Sequence, residues 1–166
     1  MTKKILWIDD EIHYFRSHIE FLKNKGYEIT PVANGDDGLD LIQRERYDMV
    51  LLDEMMIGMD GLETLARIRK YDFNVPVVMI TKNEEETLMD SALSHQVTDF
   101  LTKPVNPSQI LSVFKKVFDG MDLMQQKSVE TFHQDFNRIR RLAETSSNSK
   151  EWIDLYLEIL KMDILN

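Results

Sequence analysis

The chain has no cysteine at all. That excludes a disulfide framework, a thiolate zinc site and a cysteine nucleophile. Long hydrophobic runs are missing too. The longest apolar stretches, such as Met49 to Leu52 and Val75 to Ile80, fall far short of the ~20 residues of a membrane span. Lys3 and Lys4 precede only Ile5 to Ile8 before Asp9, Asp10 and Glu11 interrupt, too short a run for a signal peptide. Positive charge is in deficit, with 20 Lys and Arg against 29 Asp and Glu and a net charge of −9. Such acidity argues against general affinity for nucleic acid or anionic membrane. The expectation is a cytoplasmic protein. Its 166 residues suffice for one domain with a small appendage, large enough to fold without staples.

What the sequence does hold is an alternation. Short apolar runs (Ile5 to Ile8, Tyr27 to Val32, Met49 to Leu52, Val75 to Ile80, Val97 to Leu101) are separated by segments with helical spacing. Those segments carry Ile12, Phe15, Ile19 and Leu22, then Leu39 and Ile42, then Leu62, Leu65 and Ile68. Leu88 and Ala92 mark the fourth, and Ile110, Leu111, Phe114 and Val117 the fifth. Nearly uninterrupted apolar strands are expected where a parallel sheet is covered on both faces. Five strand-then-helix units therefore predict an α/β fold, a (βα)5 doubly wound parallel sheet, over residues 1–120. Residues 121–166 have neither glycine nor proline. Helical stripes at Phe132, Phe136, Ile139 and Ala143, and at Trp152, Leu155, Tyr156, Ile159 and Leu160, predict a C-terminal helical hairpin, a linker or dimerisation element.

In open parallel sheets, functional groups gather beyond the carboxyl ends of the strands. Those positions hold Asp9, Asp10 and Glu11 after the first strand, Asp53 after the third, Thr81 at the end of the fourth, and Lys103 after the fifth. Two like charges ~4 Å apart repel by about 4 kcal/mol at an effective dielectric of 20, so the carboxylates need a cation. A hard divalent ion such as Mg2+ suits two or three carboxylate oxygens with open positions for phosphate. Lys103 adds a second positive point, and Thr81 a hydroxyl that can follow new charge. Chemistry of this kind forms an aspartyl phosphate.

The run Leu52-Asp53-Glu54-Met55-Met56-Ile57-Gly58-Met59-Asp60-Gly61 resembles the phosphoacceptor segment of response-regulator receiver domains of two-component systems. Asp9-Asp10-Glu11, Thr81 and Lys103-Pro104 match the family's other signature positions, and the resemblance covers residues 3–119. It implies the flavodoxin-like receiver fold. It implies that Asp53 is the phosphoacceptor, charged by a sensor histidine kinase in a Mg2+-dependent reaction. The metal ligands it implies are Asp10, Asp53 and the Met55 carbonyl, with Asp9 acting through water. Lys103 and Thr81 bind the phosphoryl group, and Thr81 and Phe100 form the switch. Met55, Lys82 and Asn83 flank the site where hydrolysis rate is tuned. The family's usual proline four residues after the acceptor is Ile57 here, and Lys82 stands where a small residue is usual.

By the same resemblance, phosphorylation alters the surface of the fourth helix, fifth strand and fifth helix to control homodimerisation or an output domain. Glu84 to Glu86, Asp99 and Lys115-Lys116 lie there. A narrower set of residues, including Lys4 to Glu11, Lys103 to Pro107 and Glu151 to Tyr156, is similar to PorX-type response regulators. Those carry a hydrolase domain that these residues lack, so the chain is expected to be a fragment or a short relative. No enzyme activity is expected beyond self-catalysed phosphorylation and dephosphorylation at Asp53. A stand-alone phosphorelay module with the tail as a docking hairpin is the alternative. A haloacid-dehalogenase-like phosphatase would carry a second carboxylate two residues after the nucleophile, where Met55 stands. DNA binding is not expected, since residues 121–166 hold 6 basic against 8 acidic residues. His13, His18, His95 and His133 show no paired ligand spacing, and Asp60-Gly61 is expected to cap a helix.

Overall fold

The structure, a computed structural model, describes residues 2–82 and 97–144. Five strands, β1 (Lys3–Ile8), β2 (Tyr27–Val32), β3 (Met49–Asp53), β4 (Val77–Thr81) and β5 (Asp99–Thr102), form one parallel sheet in the order β2-β1-β3-β4-β5. The order reverses between β1 and β3, so the carboxyl ends of these two strands open onto a crevice. Asp9 and Asp53 lie at its edge.

β1 and β3 are central, and alternation sends their side chains to both faces. One face gathers Leu6, Ile8, Val50, Leu52, Val77 and Met79 against Leu39 of α2 (Gly35–Arg44) and Leu65 and Ile68 of α3 (Gly61–Tyr71). Ile5 and Trp7 project to the other face, where the Trp7 ring meets Phe15 at 5.0 Å and His18 of α1 (Arg16–Asn24) at 6.5 Å. Helices thus cover both faces, as the alternation predicts. The turn Ile12–Phe15 that leads into α1 is a 3-10 segment.

Local chemistry fixes the boundaries. Asn34 caps α2 by accepting from the Asp37 amide at 2.8 Å, and Asp60 caps α3 by accepting from Glu63 at 2.7 Å. Asn106 and Gln109 exchange bonds of 2.9 and 3.0 Å, a capping box at the start of α4 (Pro107–Glu144), with Pro107 in the first turn. Strands β4 and β5 begin two residues later than their apolar runs. Pro76 has no amide to donate, and the Val77 amide bonds the Thr98 hydroxyl at 3.1 Å.

α4 contains both the fifth predicted helical segment and the first stripe of the predicted hairpin. It runs through Gly120, where the sequence suggests a break. A single mid-helix glycine costs only about 1 kcal/mol relative to alanine, less than the propensity of the residues around it supplies. The chain divides into two compact units between Val117 and Phe118. The fourth predicted helix, Asn83 and the Trp152 stripe lie outside the described residues.

Gly61 sits beneath the end of β3. Its amide donates to the Glu54 carbonyl at 2.9 Å, and a Cβ there would overlap the Asp53 carbonyl oxygen and lie 2.7 Å from Glu54 Cα. Neither neighbour is a flexible side-chain end, so the strand end itself must move. Gly61→Ala is therefore expected to cost about 2 kcal/mol in urea unfolding. Gly120→Ala, with nothing within 4 Å of the added carbon, should instead stabilise by about 0.5 kcal/mol.

Candidate functional site

β1 delivers Asp9 and Asp10, and β3 delivers Asp53. Asp9 and Asp53 are buried and Asp10 half-buried, and one carboxylate oxygen from each lies within 4.8 Å of the others. Lys103, just past β5, places its ammonium 2.9 Å from Asp53 Oδ1 and 3.9 Å from Asp9 Oδ2. The four groups carry three negative charges against one positive. At this separation each carboxylate pair costs about 3 kcal/mol at an effective dielectric of 20.

Backbone amides supply part of the compensation. Glu11 donates to Asp9 Oδ1 at 2.8 Å, Met55 donates to the Asp53 carboxylate, and Ile57 donates to Asp10 Oδ2 at 3.0 Å. A proline at position 57 has no such hydrogen, so the departure from the family's usual residue is what creates the third bond. Two buried oxygens, Asp9 Oδ2 and Asp53 Oδ2, still receive no hydrogen bond. Buried carboxylate oxygens are costly in that state. The donor set, oxygen-only with a net deficit of two positive charges, fits a hard divalent cation.

Ionisation follows from the same imbalance. Burial, with the Asp53 charge adding to it, pushes the Asp9 carboxyl up to about 6 from 3.8. Burial likewise raises Asp53 above the ordinary carboxylate range, against the pull of its bond with Lys103. For Lys103, burial lowers its affinity for the proton, but the Asp53 bond and the Asp9 charge outweigh it and the ammonium is held.

Thr81, the last residue of β4, is buried, and its hydroxyl donates to Glu54 Oε2. Phe100 on β5 is half-buried against the Leu6–Ile8 face of the core. Met55 and Lys82 are exposed. Asp9, Asp10, Asp53 and Lys103 are thus brought together, with Thr81 one step beyond the Asp53–Ile80 pair of neighbouring strands. Glu54 was not among the expected site residues. Its only signal lies in the pairing of β3 with β4, which sets the residue after Asp53 beside the end of β4. Among the described residues, His13 and His133 make local contacts, with Tyr14 and the Val129 carbonyl, while His18 reaches across the fold to the Val105 carbonyl at 3.2 Å. Lys116, expected on the switch surface, already pairs with Asp99 within the chain at 2.9 Å. No helix among the described residues is long and apolar enough to cross a membrane.

Residues 5–115 match the family described as response regulator receiver domain. Over 115 residues the chain is 34% identical to the regulatory protein VanRc of Enterococcus gallinarum, a match that covers 69% of this chain and 49% of that protein. The chain therefore spans about half the length of that relative. It is also similar to a CheY-like receiver domain protein from Methanospirillum hungatei, with a TM-score of 0.67 and 27% identity, covering 75% of this chain and 99% of that one. A third similarity is to the response regulator TrrA of Thermotoga maritima, solved in complex with Mg2+ and BeF. There the TM-score is 0.62 and the identity 30%, covering 69% of this chain and 98% of that one.

The Asp9 shift predicts a pH signature. Its folded pKa lies above the unfolded value, so its favourable contribution is complete below about pH 4 and is lost as pH rises through about 6. Metal-free wild type should accordingly lose on the order of 2 kcal/mol relative to Asp9→Asn between pH 4.5 and 7.5. Thermal melts of the two chains read that difference. Mg2+ should raise the wild-type melting temperature at pH 7.5 and do much less at pH 5, where the proton competes, and Asp9→Asn should respond weakly at both.

Proposed function

Because the chain belongs to the response regulator receiver domain family, we propose that Asp53 accepts a phosphoryl group from the phosphohistidine of a sensor histidine kinase in the cytoplasm. The observation that carries this is the Asp53 carboxylate itself. It is buried at the crevice, held at Oδ1 by Lys103 and bare at Oδ2.

Asp53 Oδ2 is the nucleophile. Its attack forms the O–P bond as the N–P bond of the donor breaks, and the imidazole keeps the electron pair. Lys103 fixes the carboxylate's orientation and meets the phosphoryl oxygens. The Met55 amide steadies the same carboxylate. Asp9, Asp10, Asp53 and the Met55 carbonyl are the residues that would hold Mg2+, which neutralises charge on the phosphoryl group during transfer. The complex of TrrA with Mg2+ and BeF supports the carry-over. Met55 and Lys82, exposed beside the acceptor, and Asn83 set access for the water that later hydrolyses the product.

Phosphorylation adds about one net negative charge and several acceptor oxygens beside Thr81 and Lys103. Moving an equilibrium from 1:99 to 99:1 takes about 5.5 kcal/mol of differential binding. Movement of Thr81, followed by Phe100, carries the change to β5 and the start of α4. A homodimer on that surface trades the Asp99–Lys116 pair within the chain for pairs across the interface. The receiver thereby controls dimerisation or an output domain.

Two measurements test this. Incubation with a small phosphodonor and Mg2+ should add the mass of one phosphoryl group to wild type and none to Asp53→Asn. Removing Mg2+ should slow the reaction at least about a hundredfold, the scale of losing one preorganised electrostatic element. Light scattering with Mg2+ and beryllofluoride should show doubling of mass in wild type only. An activated chain that stays monomeric at every concentration would remove the dimer from the proposal and leave the acceptor in place.

A further inference from the structure

We propose that Glu54 is a positioning residue that holds the Thr81 hydroxyl in the unphosphorylated chain, so that the phosphoryl group on Asp53 must win that proton from a carboxylate. The proposal rests on the acceptor assignment to Asp53 and adds a competitor for the residue that responds to it.

The backbone makes the pairing unavoidable. Asp53 lies opposite Ile80 in the parallel register, and the Glu54 amide continues the ladder to the Ile80 carbonyl at 2.9 Å. The Thr81 carbonyl in turn accepts from the Lys103 amide at 2.7 Å. Both main chains are pinned, and the side chains of Glu54 and Thr81 leave neighbouring strands at the same level. Thr81 is 1% exposed, and its hydroxyl donates to Glu54 Oε2.

A threonine hydroxyl has one proton to donate. Given to Glu54, it is not given to a phosphoryl oxygen. The bond to Glu54 is charge-assisted, roughly twice as strong as a neutral one. Threonine is stiff about χ1, so redirecting the hydroxyl means leaving one rotamer for another. The carboxylate also stands beside a position that gains negative charge on phosphorylation. Glu54 therefore favours the resting arrangement twice, by occupying the hydroxyl and by repelling the group that would claim it. The opposing cation is Lys103, which contacts Asp53 and Asp9. The balance between Glu54 and Lys103 sets how completely phosphorylation flips Thr81.

The test is fluorine NMR of beryllofluoride uptake by the whole chain in saturating Mg2+. Glu54→Ala should tighten apparent affinity by about tenfold, the factor for a net hydrogen bond to a charged group at the low end of its range. Glu54→Gln, which keeps the shape and loses the charge, should shift affinity in the same direction by a smaller factor. In a Thr81→Val background the gain from Glu54→Ala should shrink to about twofold, the part that repulsion alone leaves, as expected for two residues acting mainly through one contact. Three-bond couplings should show one χ1 rotamer for Thr81 in metal-free wild type and an averaged value in Glu54→Ala. No gain with either Glu54 variant overturns the proposal. So does an undiminished gain in the Thr81→Val background, which would make Glu54 a plain electrostatic neighbour. A wild-type chain that takes up no beryllofluoride, or an Asp53→Asn chain that takes it up equally, overturns the acceptor reading and this proposal with it.

Discussion

Three carboxylates share one edge of a sheet with a single ammonium, and most of what is particular about the chain follows from that imbalance. Asp9 and Asp53 cannot move apart, because each ends a strand buried at the centre of the sheet. Nor can they be solvated. Their charge is met by amides from the loops on either side, by Lys103 and by proton uptake when nothing else is present. Burial first, and the Asp53 charge after it, push the Asp9 carboxyl up to about 6. A site arranged in this way is held short of neutrality by its own scaffold, a condition that suits a hard divalent cation.

The scaffold explains why the edge holds its shape. Apolar side chains on both faces of β1 and β3 fix the strands, so the positions of Asp9 and Asp53 are consequences of the core rather than of local loop preference. The Asp60 cap and the close approach of Gly61 beneath Asp53 tie α3 to the end of β3. The start of that helix therefore packs directly against the Asp53 and Glu54 backbone. On the other side, the Lys103 amide donates to the Thr81 carbonyl, which ties the segment after β5 to the end of β4.

Much of this was legible in the residues. The alternation of apolar runs with helical spacing gives five strands in the right places, and strand ends alone bring out Asp9, Asp10, Asp53, Thr81 and Lys103. Asp60-Gly61 reads as a cap and is one. What stayed hidden depends on partners that spacing does not reveal. That Glu54 faces Thr81 follows only from the β3–β4 register, and that Lys116 meets Asp99 within the chain is decided by rotamer. Gly120 misleads for a different reason. A glycine marks a helix end only when the residues around it also stop favouring the helix, and here they do not. At Ile57 the sequence shows a missing proline, and only the folded loop shows what replaces it.

That replacement has a consequence for how the loop can vary. Asp10 is oriented by the amide of Ile57, while the Ile57 side chain itself is 89% exposed. Nineteen of the twenty amino acids bring the same amide. Position 57 is therefore free to drift in size, polarity and charge without disturbing the carboxylate beneath it. The single substitution that deletes the bond is the one that would restore the family's usual residue. For this chain, a return to the consensus would be the disruptive mutation.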